Sequence, residues 1–120
     1  MKQILIVDDD IQIRELLIEY LKNKGYTVSE ADSGNSAVTL CKSSQFDVVV
    51  TDISMPGISG VELIKELITL VPKAGFIIVS GTDHSYSLAS ITAAGGRACF
   101  MKKPFKLTEL LAAIEQMCFL

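Results

Sequence analysis

The stretch Phe46 to Gly60, FDVVVTDISMPGISG, restricts the fold more than any other part of the chain. Val48, Val49 and Val50 follow Asp47 as a β-branched run too short for a helix, which predicts a strand buried on both faces. Polar character resumes at Thr51 and Asp52, so Asp52 is expected at the strand's carboxyl end, where the chain enters an exposed loop. Pro56 and Gly57 break the backbone there. Ser59 to Glu62 then has the S-x-x-E spacing in which a side-chain oxygen and a returning carboxylate cap a helix start. Strand, acid, turn and capped helix make a unit that presents a carboxylate.

The same alternation runs along the whole chain. Ile4 to Val7 reads as a short apolar strand, and Ile11 to Lys24 as a helix with Ile13, Leu16, Leu17, Tyr20 and Leu21 on one face. Gly25 suits a left-handed cap at its end. Tyr26 to Ala31 reads as an edge strand and Ser33 to Ser44 as a second helix, with Ala37, Val38, Leu40 and Cys41 inward. The helix after Ser59 places Val61, Leu63, Ile64, Leu67, Ile68 and Val71 inward and stops before Pro72. Phe76 to Val79 is another buried run, Asp83 to about Ala94 a fourth helix ended by Gly95 and Gly96, and Cys99 to Lys102 a last strand. Lys103 and Pro104 break that strand. Thr108 is placed to cap a closing helix whose stripe is Leu107, Leu110, Leu111, Ile114, Met117 and Cys118. Five strand-then-helix repeats imply a five-stranded parallel sheet joined by right-handed crossovers, with five helices covering both faces: an α/β doubly wound domain. At 120 residues the chain has material for one such domain and no second.

Charge and cysteine usage narrow the functional classes. A formal net charge of -3, without clustered Lys and Arg, argues against direct nucleic-acid binding. The three cysteines, Cys41, Cys99 and Cys118, lie in apolar or helical patterns without C-x-x-C spacing, which predicts reduced, buried thiols and a cytoplasmic setting. The apolar runs are too short to cross a bilayer and no charged leader precedes a long apolar segment, so no membrane role is expected.

In doubly wound sheets the ligand crevice lies beyond the carboxyl ends of the strands. Asp8, Asp9 and Asp10 follow the first strand, Asp52 ends the third, Ser80 the fourth, and Lys103 the fifth. Carboxylates crowded together repel, and a hard divalent ion relieves the repulsion. Mg2+ fits a site of few protein ligands, with Mn2+ as the alternative; carboxylates of the Asp8 to Asp10 run and Asp52 would bind it, joined by the backbone carbonyl of Ser54. Lys103 adds a point charge. A cation and an ammonium around a carboxylate stabilise the charge that gathers on a phosphoryl group during in-line transfer, so Asp52 is expected to become an aspartyl phosphate. Simpler readings apply to neighbouring residues: Asp10, next to Ile11, as a helix cap, Lys102 as a surface lysine, and His84 as an exposed residue at a helix start.

At these residues the chain resembles the receiver domain of two-component response regulators. The carriers are Val7-Asp8-Asp9-Asp10, Asp52 with Met55-Pro56-Gly57 and Gly60, Ile78-Val79-Ser80-Gly81, and Phe100-Met101-Lys102-Lys103-Pro104-Phe105. The resemblance covers the whole chain and implies the strand order 2-1-3-4-5 of the flavodoxin-like fold. It implies Asp52 as phosphoacceptor, Asp8 and Asp9 as metal-binding acids, and Lys103 as phosphate partner. It further implies Ser80 as the hydroxyl that follows the phosphoryl group, Phe100 as an aromatic switch, and a cis bond between Lys103 and Pro104. Gly81, where Ala is commoner, and Ser80, where Thr is commoner, are mild departures. By the same resemblance, phosphorylation would alter the face made by the fourth helix, fifth strand and fifth helix.

The implied partners are a sensor histidine kinase or phosphotransfer protein and a downstream effector domain or protein, with a phosphorylation-dependent dimer as a further form. The chain would catalyse only its own phosphorylation and dephosphorylation. Three alternatives share the fold or the chemistry. A flavodoxin-like electron carrier needs a hydroxyl- and glycine-rich phosphate loop where Asp8 to Asp10 stand. An aspartate-nucleophile phosphohydrolase needs a second acid where Ser54 stands. A non-phosphorylated interaction scaffold would keep the fold alone.

Overall fold

The apolar runs become the strands of one sheet. The computed structural model describes residues 2–53, 60–81 and 97–118. In it β1 (Gln3–Val7), β2 (Thr27–Ala31), β3 (Val48–Asp52), β4 (Gly75–Ser80) and β5 (Arg97–Lys102) form a sheet of order β2-β1-β3-β4-β5. Every neighbouring pair is parallel, with Ile4 opposite Val48, Val48 opposite Gly75, and Gly75 opposite Arg97. Strand order reverses at β1 and β3, so their carboxyl ends flank the crevice. Four helices are described: α1 (Ile11–Asn23), α2 (Gly34–Ser43), α3 (Gly60–Leu70) and α4 (Leu107–Cys118). The predicted helix at 83–94 lies outside the described residues, as do Ser54, Ser59, His84 and the Met55-Pro56-Gly57 turn.

Alternation along the strands sends successive side chains to opposite layers. Leu5, Val7, Val49, Phe76 and Ile78 pack with Ala37, Cys41, Leu63, Ile64 and Leu67 from α2 and α3. Ile4, Ile6, Val48, Val50, Ile77 and Val79 pack with Leu17 and Leu21 of α1 and Leu110 and Ile114 of α4. Because both faces are covered, β3 and β4 are buried along their whole length.

Local chemistry explains where the helices begin and end. Asp10 Oδ1 accepts from the Gln12 and Ile13 amides at 2.9 and 3.4 Å, capping α1 as its position beside Ile11 predicts. At the other end Gly25 has φ 94°, and the Gly25 and Tyr26 amides donate to the Lys22 and Leu21 carbonyls, which is the Schellman arrangement. Ser33 caps α2 through the Ser36 amide.

Four expectations change. α4 begins at Leu107, so Thr108 lies within its first turn; instead, Glu109 Oε1 accepts from the Lys106 amide at 3.0 Å, a carboxylate three residues into the helix reaching back to its start. Leu16 is 54% exposed, because the arc of α1 that meets the sheet carries Arg14, Leu17 and Leu21. Of the three free cysteines only Cys41 is buried, Cys99 and Cys118 being half-buried at the margin of the α4 layer. Burial pushes the Cys41 thiol up to about 11, leaving it a neutral core group. Finally, Asp52 ends β3 as expected, but Thr51 and Asp52 are buried with the rest of the strand, so the acid lies at the floor of the crevice and is not exposed.

Candidate functional site: an acidic crevice closed by a lysine

Parallel pairing brings the ends of β1, β3, β4 and β5 level. Asp8 follows β1 directly; its amide donates to the Ala31 carbonyl at the end of β2, at 3.1 Å, which continues the ladder one residue past the strand. Asp52 ends β3 opposite Val79, and the Ile53 amide donates to the Val79 carbonyl at 3.0 Å. Ser80 ends β4 with no exposed surface. Its carbonyl accepts from the Lys103 amide at 2.7 Å, which anchors Lys103 beyond β5. The Lys103-Pro104 bond is cis. Lys102 is exposed while Lys103 turns inward, so the alternation of the strand separates the two lysines as expected.

The side chains converge. Lys103 Nζ donates to Asp52 Oδ2 at 2.9 Å and lies 3.8 Å from Asp8 Oδ2. Asp8, Asp9 and Asp52 each offer a carboxylate oxygen, and these oxygens lie within 4.8 Å of one another. Asp8 and Asp52 are buried, and Asp9 is exposed at the rim. Three carboxylates thus face one ammonium at close range. Burial drives the Asp8 carboxyl above its ordinary value; the Asp10 amide, donating to Oδ1 at 2.9 Å, and Lys103 oppose the shift, while Asp52 and Asp9 add to it. Burial alone would lower Lys103, but its hydrogen bond to Asp52 and the charges of Asp52, Asp8 and Asp9 outweigh it, and the ammonium is held above the ordinary lysine value.

An all-oxygen donor set with excess negative charge suits a hard divalent cation, Mg2+ or Mn2+, over a soft one. Of the residues singled out in the sequence, Asp8, Asp9, Asp52 and Lys103 come together here, and Ser80 ends the strand beside Asp52. Phe100 stands one strand further out, half-buried, opposite Ile78 in register and packed against the α2–α3 layer. Ser54 lies outside the described residues.

One participant went unforeseen. Arg14, on the buried side of α1, donates from Nη1 to the Asp8 carbonyl and from Nε to Glu30 Oε1, each at 2.8 Å. A charged residue one position along from Ile13, within a helix read as amphipathic, looks like its solvated face; the signal available was a Glu at the end of the neighbouring strand.

A doubly wound sheet whose strand ends gather three acids and one lysine defines a class of α/β domains with an acidic crevice at the sheet's carboxyl edge, and comparison with known proteins narrows it. Residues 4–115 match the model of the response regulator receiver domain, and the chain belongs to that family. The chain is 33% identical over 116 residues to the chemotaxis protein CheY of Thermotoga maritima, covering 96% of each. It superposes with TM-score 0.90 and 29% identity on a CheY-like receiver domain protein from Methanospirillum hungatei, covering 98% of this chain and 94% of that one. The response regulator TrrA from Thermotoga maritima, solved in complex with Mg2+ and BeF, aligns with TM-score 0.83 and 35% identity over 98% of this chain and 99% of its own. Two-component signalling is therefore the context in which the crevice is to be read.

Proposed function

We propose that the chain is the phosphoacceptor of a two-component phosphorelay, with Asp52 receiving the phosphoryl group. The observation that carries this is the 2.9 Å pairing of a buried Asp52 with Lys103, beside two further carboxylates on neighbouring strand ends. Asp8, Asp9 and Asp52 would hold Mg2+, with the Ser54 carbonyl added by resemblance. When bound, the ion supplies positive charge toward the transferring phosphoryl oxygens.

The chain's own residues supply the rest. A carboxylate oxygen of Asp52 forms the new P–O bond as the P–N bond of a donor phosphohistidine breaks, and the departing imidazole nitrogen keeps the electron pair and takes up a proton from water. Lys103, held cationic by its acidic neighbours, meets the charge on the phosphoryl oxygens. Ser80, buried at the end of the adjacent strand, is the hydroxyl that would follow the new group. Phe100 is the half-buried aromatic whose rotation would alter the face formed by the predicted helix at 83–94, β5 and α4. Effector proteins or domains would read that face, and a phosphorylated dimer could form through it. The chain would catalyse only its own phosphorylation and dephosphorylation.

The donor's approach has physical support. A groove of about 480 Å3, lined by Ile13, Leu16, Lys103, Pro104, Phe105 and Leu107, opens on the far side of the acceptor's lysine, with Leu16 exposed in its wall. Because Lys103 lines both groove and crevice, a phosphohistidine-bearing kinase or phosphotransfer protein seated there would present its phosphoryl group to Asp52. The test is incubation with a small phosphodonor and Mg2+, followed by intact-mass measurement of the wild type and Asp52→Asn. One phosphoryl adduct on the wild type alone is expected. No adduct from any donor, despite bound Mg2+, would leave the scaffold reading in its place.

A further inference from the structure

Asp8 is held at more points than a loop acid needs. Its amide donates to the Ala31 carbonyl at 3.1 Å, and its Oδ1 accepts from the Asp10 amide at 2.9 Å. Its carbonyl accepts from Arg14 Nη1 at 2.8 Å in a buried setting. That carbonyl belongs to the peptide plane joining Asp8 to Asp9, so whatever fixes its direction also fixes the Asp9 amide and the N–Cα bond on which the Asp9 side chain is built. Arg14 is only 8% exposed, and its guanidinium is itself oriented by Nε donating to Glu30 Oε1 at 2.8 Å. Glu30 stands on β2 directly before Ala31, so α1, the acid loop and the end of β2 are joined through one planar fork. A guanidinium suits this task because its donors keep a fixed mutual geometry, which a lysine ammonium on a flexible stem does not reproduce.

We propose that Arg14, oriented by Glu30, is the positioning residue of the divalent-ion site, setting the Asp8–Asp9 peptide plane so that both carboxylates meet Asp52. It touches neither ion nor phosphoryl group in this arrangement and acts through the backbone. Partners that orient ligands from behind govern affinity strongly in metal sites, so their removal is read in metal binding more than in folding. The inference rests on the Mg2+ site described above.

The test is Mg2+ titration of the apo chain by calorimetry, with thermal unfolding followed in parallel without metal. Arg14→Lys keeps the charge and removes the fork, and about tenfold weaker Mg2+ binding is expected. Glu30→Ala, at a carboxylate whose side chain is 52% exposed, leaves the core intact and also weakens Mg2+ several-fold, whereas Glu30→Gln keeps an acceptor for Nε and restores binding to within about twofold of wild type. Should Arg14→Lys prove unfolded, the contrast between the two Glu30 variants decides alone. Wild-type Mg2+ affinity in Glu30→Ala, with or without a lower melting temperature, would reduce the clamp to a structural contact and overturn the proposal. A wild-type chain that binds no Mg2+ would overturn the metal site and this inference together, which separates the two failures.

Discussion

The two ends of the sheet use the same kinds of residues to opposite effect. At the amino end polar groups are matched: the Gln3 amide donates to Asp47 Oδ2 at 2.7 Å, and the Asp47 amide returns a bond to the Gln3 carbonyl at 2.8 Å. Arg97 donates to the Lys73 and Met117 carbonyls, each at 3.0 Å, tying the start of β5 to the last turn of α4. Gly75 sits so close under Met117 that a Cβ there would lie 2.6 Å from its sulfur and 2.9 Å from its Cβ. At the carboxyl end, Asp8, Asp9 and Asp52 share the single ammonium of Lys103 among the described residues of the cluster. One end of the sheet is arranged for packing. The other keeps charges crowded that would be more stable apart, the arrangement that the proposed ion and phosphoryl chemistry would require.

Substitutions at each end should separate these roles. Lys103→Met should slow phosphorylation by a small donor about 100-fold or more, because the proposed transfer relies on the fixed positive charge beside Asp52. A rate near wild type by intact-mass time course would place the charge stabilisation elsewhere. Gly75→Ala should cost about 1–3 kcal/mol in denaturant unfolding, since the Met117 Cβ as well as its flexible tip must move, while Mg2+ affinity stays unchanged. A change in metal binding would show that the two ends are coupled through β4.

Asp8→Asn should act in two directions. It keeps an acceptor for the Asp10 amide and removes a carboxylate that burial and like charges disfavour, so the metal-free chain should melt at a higher temperature while Mg2+ binds more weakly. The pH dependence follows from the direction of the shift. The folded chain holds the Asp8 proton more tightly than the unfolded chain, so Asp8 subtracts stability as pH rises from 3.8 through its raised value. Lowering pH through that window should recover part of this in the wild type and none in Asp8→Asn. Lys103 has the opposite sign: its raised value means that its contribution is complete below 10.5 and is lost only as pH climbs through the higher folded value. The smallest effect should come from Arg97→Ala, which removes two exposed hydrogen bonds and should lower stability by about 1 kcal/mol without touching phosphorylation.

Much of this was legible in the residues. β3 was readable because three consecutive Val side chains admit no other buried element of that length, and α1 because Asp10 and Gly25 mark its ends chemically. Asp52, Asp8, Asp9 and Lys103 were readable as a group because parallel strands deliver their carboxyl ends to one edge. Leu16 misled because helical periodicity marks an apolar arc wider than the sheet covers. Thr108 misled because capping chemistry can be supplied from inside the helix, here by Glu109. Arg14 was missed because a sequence shows a charge but not what lies behind it.

The order of apolar runs, the breakers between them and the placement of acids at strand ends were set by local chemistry, since strand and helix periods and capping groups act over a few residues. Which carboxylate Lys103 would bond, that Asp52 would be buried, and that an arginine from α1 would orient the acid loop were decided only when distant segments packed. Those outcomes depend on distances of a few ångströms between groups far apart in the chain, and both Coulomb attraction and desolvation change steeply over that range.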